Sequence, residues 1–455
     1  MRSMTMLLCA AFCAYGQFSG FKPPSTPLLG AAASGNTAAV KELLKSGTNP
    51  NEGKFAGLPP VMFPLMMQNR EMVQAFIDAK ADLTVRDESG ATTLMWAVYN
   101  DDADARILQD LLKAGVDPKA RDNKGDSALI WAMRRNNQAA VRVLEQAGDT
   151  RGPQIVGAVE KALGLLQKSS PQFIRVSGCV SCHHQMLPEM AMGIARKHGI
   201  AFDEVGLTAE IEASMAMWRN GREHMNKQSG KIPNPPIVVS YGLVGLAAVN
   251  YPADETTAAM AEFLAGFQQA DGSWRSQFKR PPIEASDFTA TALSLRSIQK
   301  YGGNEKAVAR AAEWLASARP HTNEDRAMQL LGLAWAKSDR KTIDASAQAL
   351  LAKQLPGGGW SQLDTPEADS YATGQALYAL HTAGVVKSTD EVYRKGVDYL
   401  LRTQLQDGSW MVATRSFPVQ PYKESGFPHG RDQWISAAGT SWAAMALSLA
   451  VPNTK

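Results

Sequence analysis

The feature that most constrains how this chain folds is an internal repeat of about 33 residues between positions 26 and 150. A short apolar segment recurs there, and its corresponding positions are Ala31, Pro64, Ala97 and Ala132, which are 33, 33 and 35 residues apart. Each copy is followed by a second apolar helix and by a turn such as Gly47-Thr48-Asn49-Pro50. A helix pair of this size buries its apolar face only by stacking on its neighbours. The pattern therefore predicts four stacked helix pairs.

In period and in motif these copies resemble ankyrin repeats over residues 26–150, as Thr93-Leu94-Met95-Trp96-Ala97 illustrates. The resemblance implies a helical solenoid whose concave surface binds a protein partner. The alternative is that the array only packs against the domain that follows. The second copy has prolines at 59, 60 and 64, so we expect it to be locally irregular.

A second repeat begins after residue 153. Three segments fit the pattern Q-x-x-x-G-x-W, and they run from Gln268 to Trp274, from Gln354 to Trp360 and from Gln404 to Trp410. Apolar periodicity in this part of the chain predicts twelve helices, or six pairs. The predicted helices span 154–168, 187–198, 203–228, 237–249, 254–269, 286–301, 303–318, 323–337, 340–354, 368–384, 388–404 and 432–450.

The Q-x-x-x-G-x-W segments and the six helix pairs resemble the superfamily of squalene cyclases, terpene cyclases and protein prenyltransferases. This resemblance covers residues 153–455 and implies an α6/α6 toroid, so we expect an all-α chain made of an ankyrin solenoid followed by a toroid. In such a toroid the inner helices are parallel, and their N-termini share one rim. Polar residues that open the inner helices should therefore form the functional surface.

Two acidic residues on that rim are candidate general acids. Cyclases of the superfamily carry D-x-D-D-T-A, and the matching segment Ala285–Ala290 retains only Asp287. Prenyltransferases hold zinc with D-x-C, whereas Asp369 is followed by Ser370 and Tyr371, so the thiolate is missing. Acidic residues at helix N-termini also have a purely structural explanation as caps. The departures from both motifs favour a protein that is not an enzyme.

The segment Cys179-Val180-Ser181-Cys182-His183-His184 is the strongest chemical motif in the chain. Its C-x-x-C-H spacing suits a covalently bound c-type haem, with thioether bonds to Cys179 and Cys182 and with His183 as an iron ligand. The second axial ligand could come from His429, His184, Met186 or Met190.

Zinc is the main alternative at this segment. Cys179 and Cys182 with one or two of His183, His184 and His429 would complete a tetrahedral site. His429 enters this set because the last toroid helix should close the ring against the 187–198 helix, which brings the two preceding loops together. A disulfide or redox-active thiol pair and a chance occurrence remain open as well.

The N-terminus indicates export. Arg2 precedes a short apolar run that ends near Ala14, and small residues favour cleavage after Gly16, so residues 1–16 are interpreted as a signal peptide. Cleavage would remove Cys9 and Cys13 and direct the protein to a periplasm or to the exterior. No later apolar run is long enough to span a membrane. The formal net charge of +3, without a concentrated basic surface, argues against nucleic-acid binding.

These patterns together predict an exported binding or electron-transfer protein that bears a haem or a metal on a toroid. One alternative is an enzyme that acts on an isoprenoid or other apolar substrate in the toroid cavity. Another is a structural interaction protein.

Overall fold

The computed structural model describes residues 24–101, 103–123, 125–135, 137–149, 152–178, 180, 182–227, 232–417 and 421–451, with Pro153 and Cys182 described by their backbones only. The proposed signal peptide and Cys179 therefore lie outside the described residues. Within the described residues the regular structure is helical and includes no β-strand, which confirms the prediction of an all-α chain. The chain divides into two compact units at Arg151 and Gly152.

The first unit is a stack of four helix pairs. Its helices are α1 Pro27–Ala33, α2 Thr37–Lys45, α3 Met62–Met66, α4 Arg70–Asp78, α5 Thr93–Ala97, α6 Ala105–Lys113, α7 Ala128–Arg134 and α8 Gln138–Gln146. The first helix of each pair packs on the first helix of the next pair, and the second helices do the same. This one-dimensional packing is that of a solenoid.

Recurring polar contacts explain the regularity of the stack. The indole Nε1 of Trp96 donates to Asp87 over 3.0 Å, and the indole Nε1 of Trp131 donates to Asp122 over 3.1 Å in the next repeat. Asn69 caps α4 and also donates to the Thr37 hydroxyl of the preceding repeat. In the proline-rich second copy α3 has only five residues. The first helix of the third copy, α5, is equally short, so helix length does not distinguish the second copy and its expected irregularity stays a prediction.

The second unit is a toroid of six helix pairs. The odd-numbered outer helices are α9 Gly152–Ser177, α11 Glu204–Asn226, α13 Glu255–Ala265, α15 Glu305–Ser317, α17 Arg340–Leu351 and α19 Glu391–Thr403. The even-numbered inner helices are α10 Leu187–Lys197, α12 Pro235–Ala248, α14 Asp287–Ser297, α16 Asn323–Trp335, α18 Ser370–Thr382 and α20 Gln433–Leu449. Each inner helix packs on the next, and α20 packs on α10, so the inner ring is closed.

The Q-x-x-x-G-x-W segments link consecutive outer helices. The amide of Gln268 donates to the carbonyl of Ala307 in α15, that of Gln354 to Val392 in α19, and that of Gln404 to Ala158 in α9, over 2.8 to 2.9 Å. The last of these bonds joins the segment after the last outer helix to the first toroid helix. The tryptophans of the three segments are fully buried, and each indole donates to a carbonyl of the preceding outer helix.

The first toroid helix differs most from the prediction, because α9 continues through Pro171 to Ser177 instead of ending near residue 168. The polar residues just beyond position 168 are buried and hydrogen-bonded. The hydroxyl of Ser169 donates to the Leu166 carbonyl, and the amide of Gln185 donates to the carbonyl and the hydroxyl of Ser170. Among the described helices of the whole chain, none is long and apolar enough to cross a membrane.

Candidate functional site: a rim pocket beside two histidines

A cavity of about 560 Å³ opens where the π-helical turn Cys182–Met186 meets the loop that leads into α20. Aromatic rings form much of its wall, and three cationic side chains also line it. The lining residues are Phe173, Ser177, His183, His184, Arg280, Thr414, Ser416, Phe417, Pro421, Tyr422, Lys423, Arg431, Gln433 and Trp434. The pocket thus combines an apolar interior with positive charge.

The two histidines of the motif are buried in the wall of this pocket, with 8% of His183 and 1% of His184 exposed. The ring of Phe173 stacks on His184 at a centroid distance of 4.6 Å, and Trp434 meets His183 edge to face at 5.9 Å. The Nδ1 atoms of the two imidazoles are 2.5 Å apart. Both rings are therefore held in fixed orientations.

Both histidines are neutral near pH 7. Burial lowers the pKa of His183 well below its ordinary value, and the neighbouring His184 and Arg280 act in the same direction. Burial alone lowers the pKa of His184 to about 3. A neutral imidazole keeps one nitrogen lone pair, which is the form that binds metals.

The loop before α20 contacts the His183–His184 turn through Ser425. His184 Nε2 lies 2.8 Å from the Ser425 hydroxyl, and that hydroxyl donates to the side-chain carbonyl of Gln433 over 2.6 Å. The expected approach of the two loops is therefore observed. The residue that makes the contact is Ser425, which the sequence analysis did not single out.

His429 lies in the same loop but has other neighbours. Its Nε2 lies 3.2 Å from the Ser409 hydroxyl, and the ring of Phe427 contacts both His429 and His184 edge to face. Burial lowers the pKa of His429, against the opposing effect of Asp407 and Asp432. His429 does not line the pocket that His183 and His184 line.

The described side chains contain no group of three or more His, Cys, Asp or Glu residues that could hold a metal ion. Cys179 and the side chain of Cys182 lie outside that set, so the predicted four-ligand site stays a prediction. The pair of imidazoles is the part of it that the structure brings together.

Three cationic side chains line the pocket. The guanidinium of Arg280 lies 5.5 Å from the centre of the Trp434 ring and also pairs with Glu284. Lys423 and Arg431 line the same cavity. An anionic group bound there would face these cations within a poorly solvated, aromatic environment.

Asp287 opens α14 on the rim but does not line this pocket. One carboxylate oxygen accepts from Arg275, and the other accepts from the backbone N–H of Ser276 and from Lys279, over 3.0 to 3.1 Å. These partners fix the loop that precedes α14. These contacts are consistent with a structural role for Asp287, which was the alternative to a role as general acid.

Asp369 is the N-cap of α18. Its carboxylate accepts from the Ala372 N–H at 2.9 Å and from the Gln362 amide at 3.0 Å, and Gln362 in turn accepts from Arg415. Burial raises the pKa of Asp369 to about 6, although these hydrogen bonds oppose the rise. Its capping role is evident, and a catalytic role stays a prediction.

Sequence analysis missed a buried carboxyl at the same end of the inner ring. Glu324, at the start of α16, accepts from Thr289, Tyr371 and Gln375 over 2.6 to 3.0 Å. Burial raises its pKa to about 7. Its place at the start of the predicted 323–337 helix was the only pointer available, because the sequence does not show which residue of that first turn points inward.

Comparison with known proteins supports both repeats. A family model for ankyrin repeats, in three copies, matches residues 28–122. Residues 28–122 of the first unit are therefore ankyrin repeats. Lanosterol synthase of Saccharomyces cerevisiae is 31% identical over 115 residues, which are 25% of this chain and 15% of that enzyme. The chain thus spans a small part of the length of this relative, and the likeness supports a cyclase-like toroid without assigning that enzyme's activity.

Proposed function

We propose that this protein is an exported electron-transfer or binding protein that carries a c-type haem in the rim pocket and contacts a protein partner through its ankyrin repeats. The observation that carries the proposal is the His183–His184 pair, which is buried, neutral and set against the pocket directly after the C-x-x-C spacing. Ankyrin arrays offer an extended surface suited to a protein partner.

The residues of the pocket fit a haem. The volume of about 560 Å³ lies within the range of about 300–1,000 Å³ that is typical of small-molecule and cofactor sites. Phe173 and Trp434 give the pocket an aromatic wall, and Arg280, Lys423 and Arg431 supply positive charge for the two carboxylates of a haem.

In this proposal Cys179 and Cys182 hold the group covalently and His183 binds the iron. A bound haem would supply one-electron transfer at the rim. The protein's own residues orient the ring, exclude water from it and neutralise its carboxylates. Export, for which residues 1–16 are the proposed signal, places the chain where c-type haem is attached and where free thiols would otherwise oxidise.

Zinc is the alternative occupant. Two nitrogens bound to one tetrahedral zinc at 2.0–2.1 Å lie about 3.3 Å apart. The Nδ1 atoms of His183 and His184 are 2.5 Å apart, which suits a hydrogen bond between them better than a shared ion. This geometry disfavours a zinc ion shared between the two Nδ1 atoms.

An enzyme of the cyclase type is the second candidate, and Asp369 favours it because burial raises the pKa of this rim carboxyl to about 6. A carboxyl with such a pKa can donate a proton near neutral pH. If the toroid acts on a polyprenyl substrate, Asp287→Asn and Asp369→Asn should abolish turnover and leave the helical content unchanged. Unaltered turnover in both variants would remove these residues from the mechanism.

The experiment that tests the main proposal is production of the full chain in a host with a cytochrome c maturation system, followed by intact-mass analysis. We expect the mass of one haem to be added to the processed chain. Cys179→Ser and Cys182→Ser should each weaken or abolish the attachment, and the double variant should carry none. A haem-free wild-type chain that contains stoichiometric zinc would overturn the proposal in favour of the metal site.

A further inference from the structure

The side-chain amide of Gln433 has a fixed orientation. Its nitrogen donates to the Lys423 carbonyl over 2.5 Å, and its oxygen accepts from the backbone N–H of Ser425 over 3.0 Å. A backbone carbonyl can only accept and a backbone N–H can only donate. The amide oxygen of Gln433 is therefore the atom that faces Ser425.

This orientation determines what the Ser425 hydroxyl does. Its single proton is donated to the Gln433 oxygen, at 2.6 Å. The hydroxyl oxygen is then an acceptor toward His184 Nε2, which lies 2.8 Å away. His184 must therefore carry its proton on Nε2.

The tautomer of His184 determines the tautomer of His183. With the His184 proton on Nε2, its Nδ1 is an acceptor, and the contact of 2.5 Å between the two Nδ1 atoms requires His183 to donate from Nδ1. Two protonated Nδ1 atoms could not approach so closely. His183 consequently has an unprotonated Nε2, with the lone pair that a metal ligand needs.

We propose that His184, Ser425 and Gln433 form a positioning chain that holds His183 in the tautomer and ring orientation in which its Nε2 can bind haem iron. The inference rests on the proposed haem site for the identity of the ligand, while the tautomers themselves follow from the hydrogen bonds. Outer hydrogen-bond partners of this kind orient ligating histidines and tune the metal. The chain is assembled across the ring closure, since 241 residues separate His184 from Ser425.

The tautomers can be measured without haem. The full chain, labelled with ¹⁵N-histidine and produced without cytochrome c maturation, would be examined by long-range ¹H–¹⁵N correlation spectra. Its seven histidines would be assigned by the loss of signals in His183→Gln and His184→Gln. We expect the proton on Nδ1 of His183 and on Nε2 of His184. The reverse assignment would overturn the positioning chain.

The effect on the group itself is tested with Ser425→Ala, which removes the acceptor of His184. The matched control is Ser361→Ala, whose hydroxyl lies in the corresponding loop before α18 and donates only to the backbone carbonyl of Leu363. In haem-loaded protein, Ser425→Ala should shift the reduction potential and alter the ligand-field bands. The control should change neither.

The outcomes separate the two proposals. If the histidines have the expected tautomers but the protein never attaches haem, the proposed haem site is wrong and the positioning chain stands. If haem is attached and its reduction potential is the same in Ser425→Ala and in wild type, the haem site stands and the positioning role of Ser425 is wrong. A merely structural role for Ser425 would lower stability without moving the potential.

Discussion

His184 Nε2 lies 2.8 Å from the hydroxyl of Ser425, a residue 241 positions later in the chain. This contact joins the turn that carries the C-x-x-C-H spacing to the loop before the last inner helix. The site is therefore assembled by the closure of the toroid, and any change that opens the ring at this point should also disturb the histidine pair.

Gln404→Ala tests the bond that closes the outer ring. The Gln404 amide donates to the carbonyls of Ala158 and Gly408, and the substitution leaves both acceptors without this donor. We expect a loss of about 1–3 kcal/mol in the free energy of unfolding. Urea denaturation measures it, and Gln406→Ala, at an exposed position of the same loop, is the control. Equal effects of the two changes would contradict the bridging role.

Gly408→Ala tests the close approach beside that bond. Gly408 has a φ of 93°, and an added Cβ would lie 2.8 Å from the main-chain carbon of Lys161. Gly384 also has a positive φ, of 63°, but a Cβ there meets nothing within 4 Å. Gly384→Ala should cost about 1 kcal/mol from backbone strain alone. Gly408→Ala should cost about 1–3 kcal/mol more, because the loop at Gly408 must move away from Lys161 in α9.

Much of this architecture was predictable from the sequence, and residues such as Gln404 explain why. The period of the ankyrin array and the twelve toroid helices follow from apolar patterns that local packing enforces. The three Q-x-x-x-G-x-W segments marked the junctions between outer helices. The ankyrin period and the individual helices depend on neighbours within a few tens of residues, which is the range over which a sequence pattern is informative. The bond from Gln404 to Ala158 spans 246 residues, and the sequence showed only the motif that carries it.

The contacts that build the candidate site were largely not predictable. Sequence analysis placed His429 near the motif, whereas Ser425 and Phe427 of the same loop make the contacts with His184. Which side chain of a loop points inward depends on backbone turns such as the left-handed conformation of His429, at a φ of 83°. Glu324 was missed for the same reason, since its inward direction is set by the rotation of α16.

Glu324→Gln tests the buried carboxyl through the pH dependence of stability. Burial raises the pKa of Glu324 in the folded protein to about 7 from 4.5. The folded state therefore binds a proton more readily than the unfolded chain, so this group's contribution is fully present below about pH 4.5 and is lost as the pH rises through 7. Relative to Glu324→Gln, wild-type protein should lose on the order of 3 kcal/mol over that interval.

The measurement for Glu324 is denaturant unfolding at several pH values, with Glu313→Gln on the outer face of α15 as the matched control. Glu313→Gln removes one exposed carboxylate and is measured at the same pH values. If the difference in free energy of unfolding between Glu324→Gln and wild type does not change with pH, Glu324 has the same pKa in the folded and unfolded chains. In that case its burial would have no electrostatic consequence.

The absorption spectrum of the exported protein tests the central claim most directly. The full chain would be produced with cytochrome c maturation, purified from the periplasm and extracted with acidified acetone. The account predicts that the Soret band stays with the protein after extraction and that a sharp α-band appears on reduction. A colourless protein, or colour that leaves with the acetone, would contradict a covalent haem at Cys179 and Cys182.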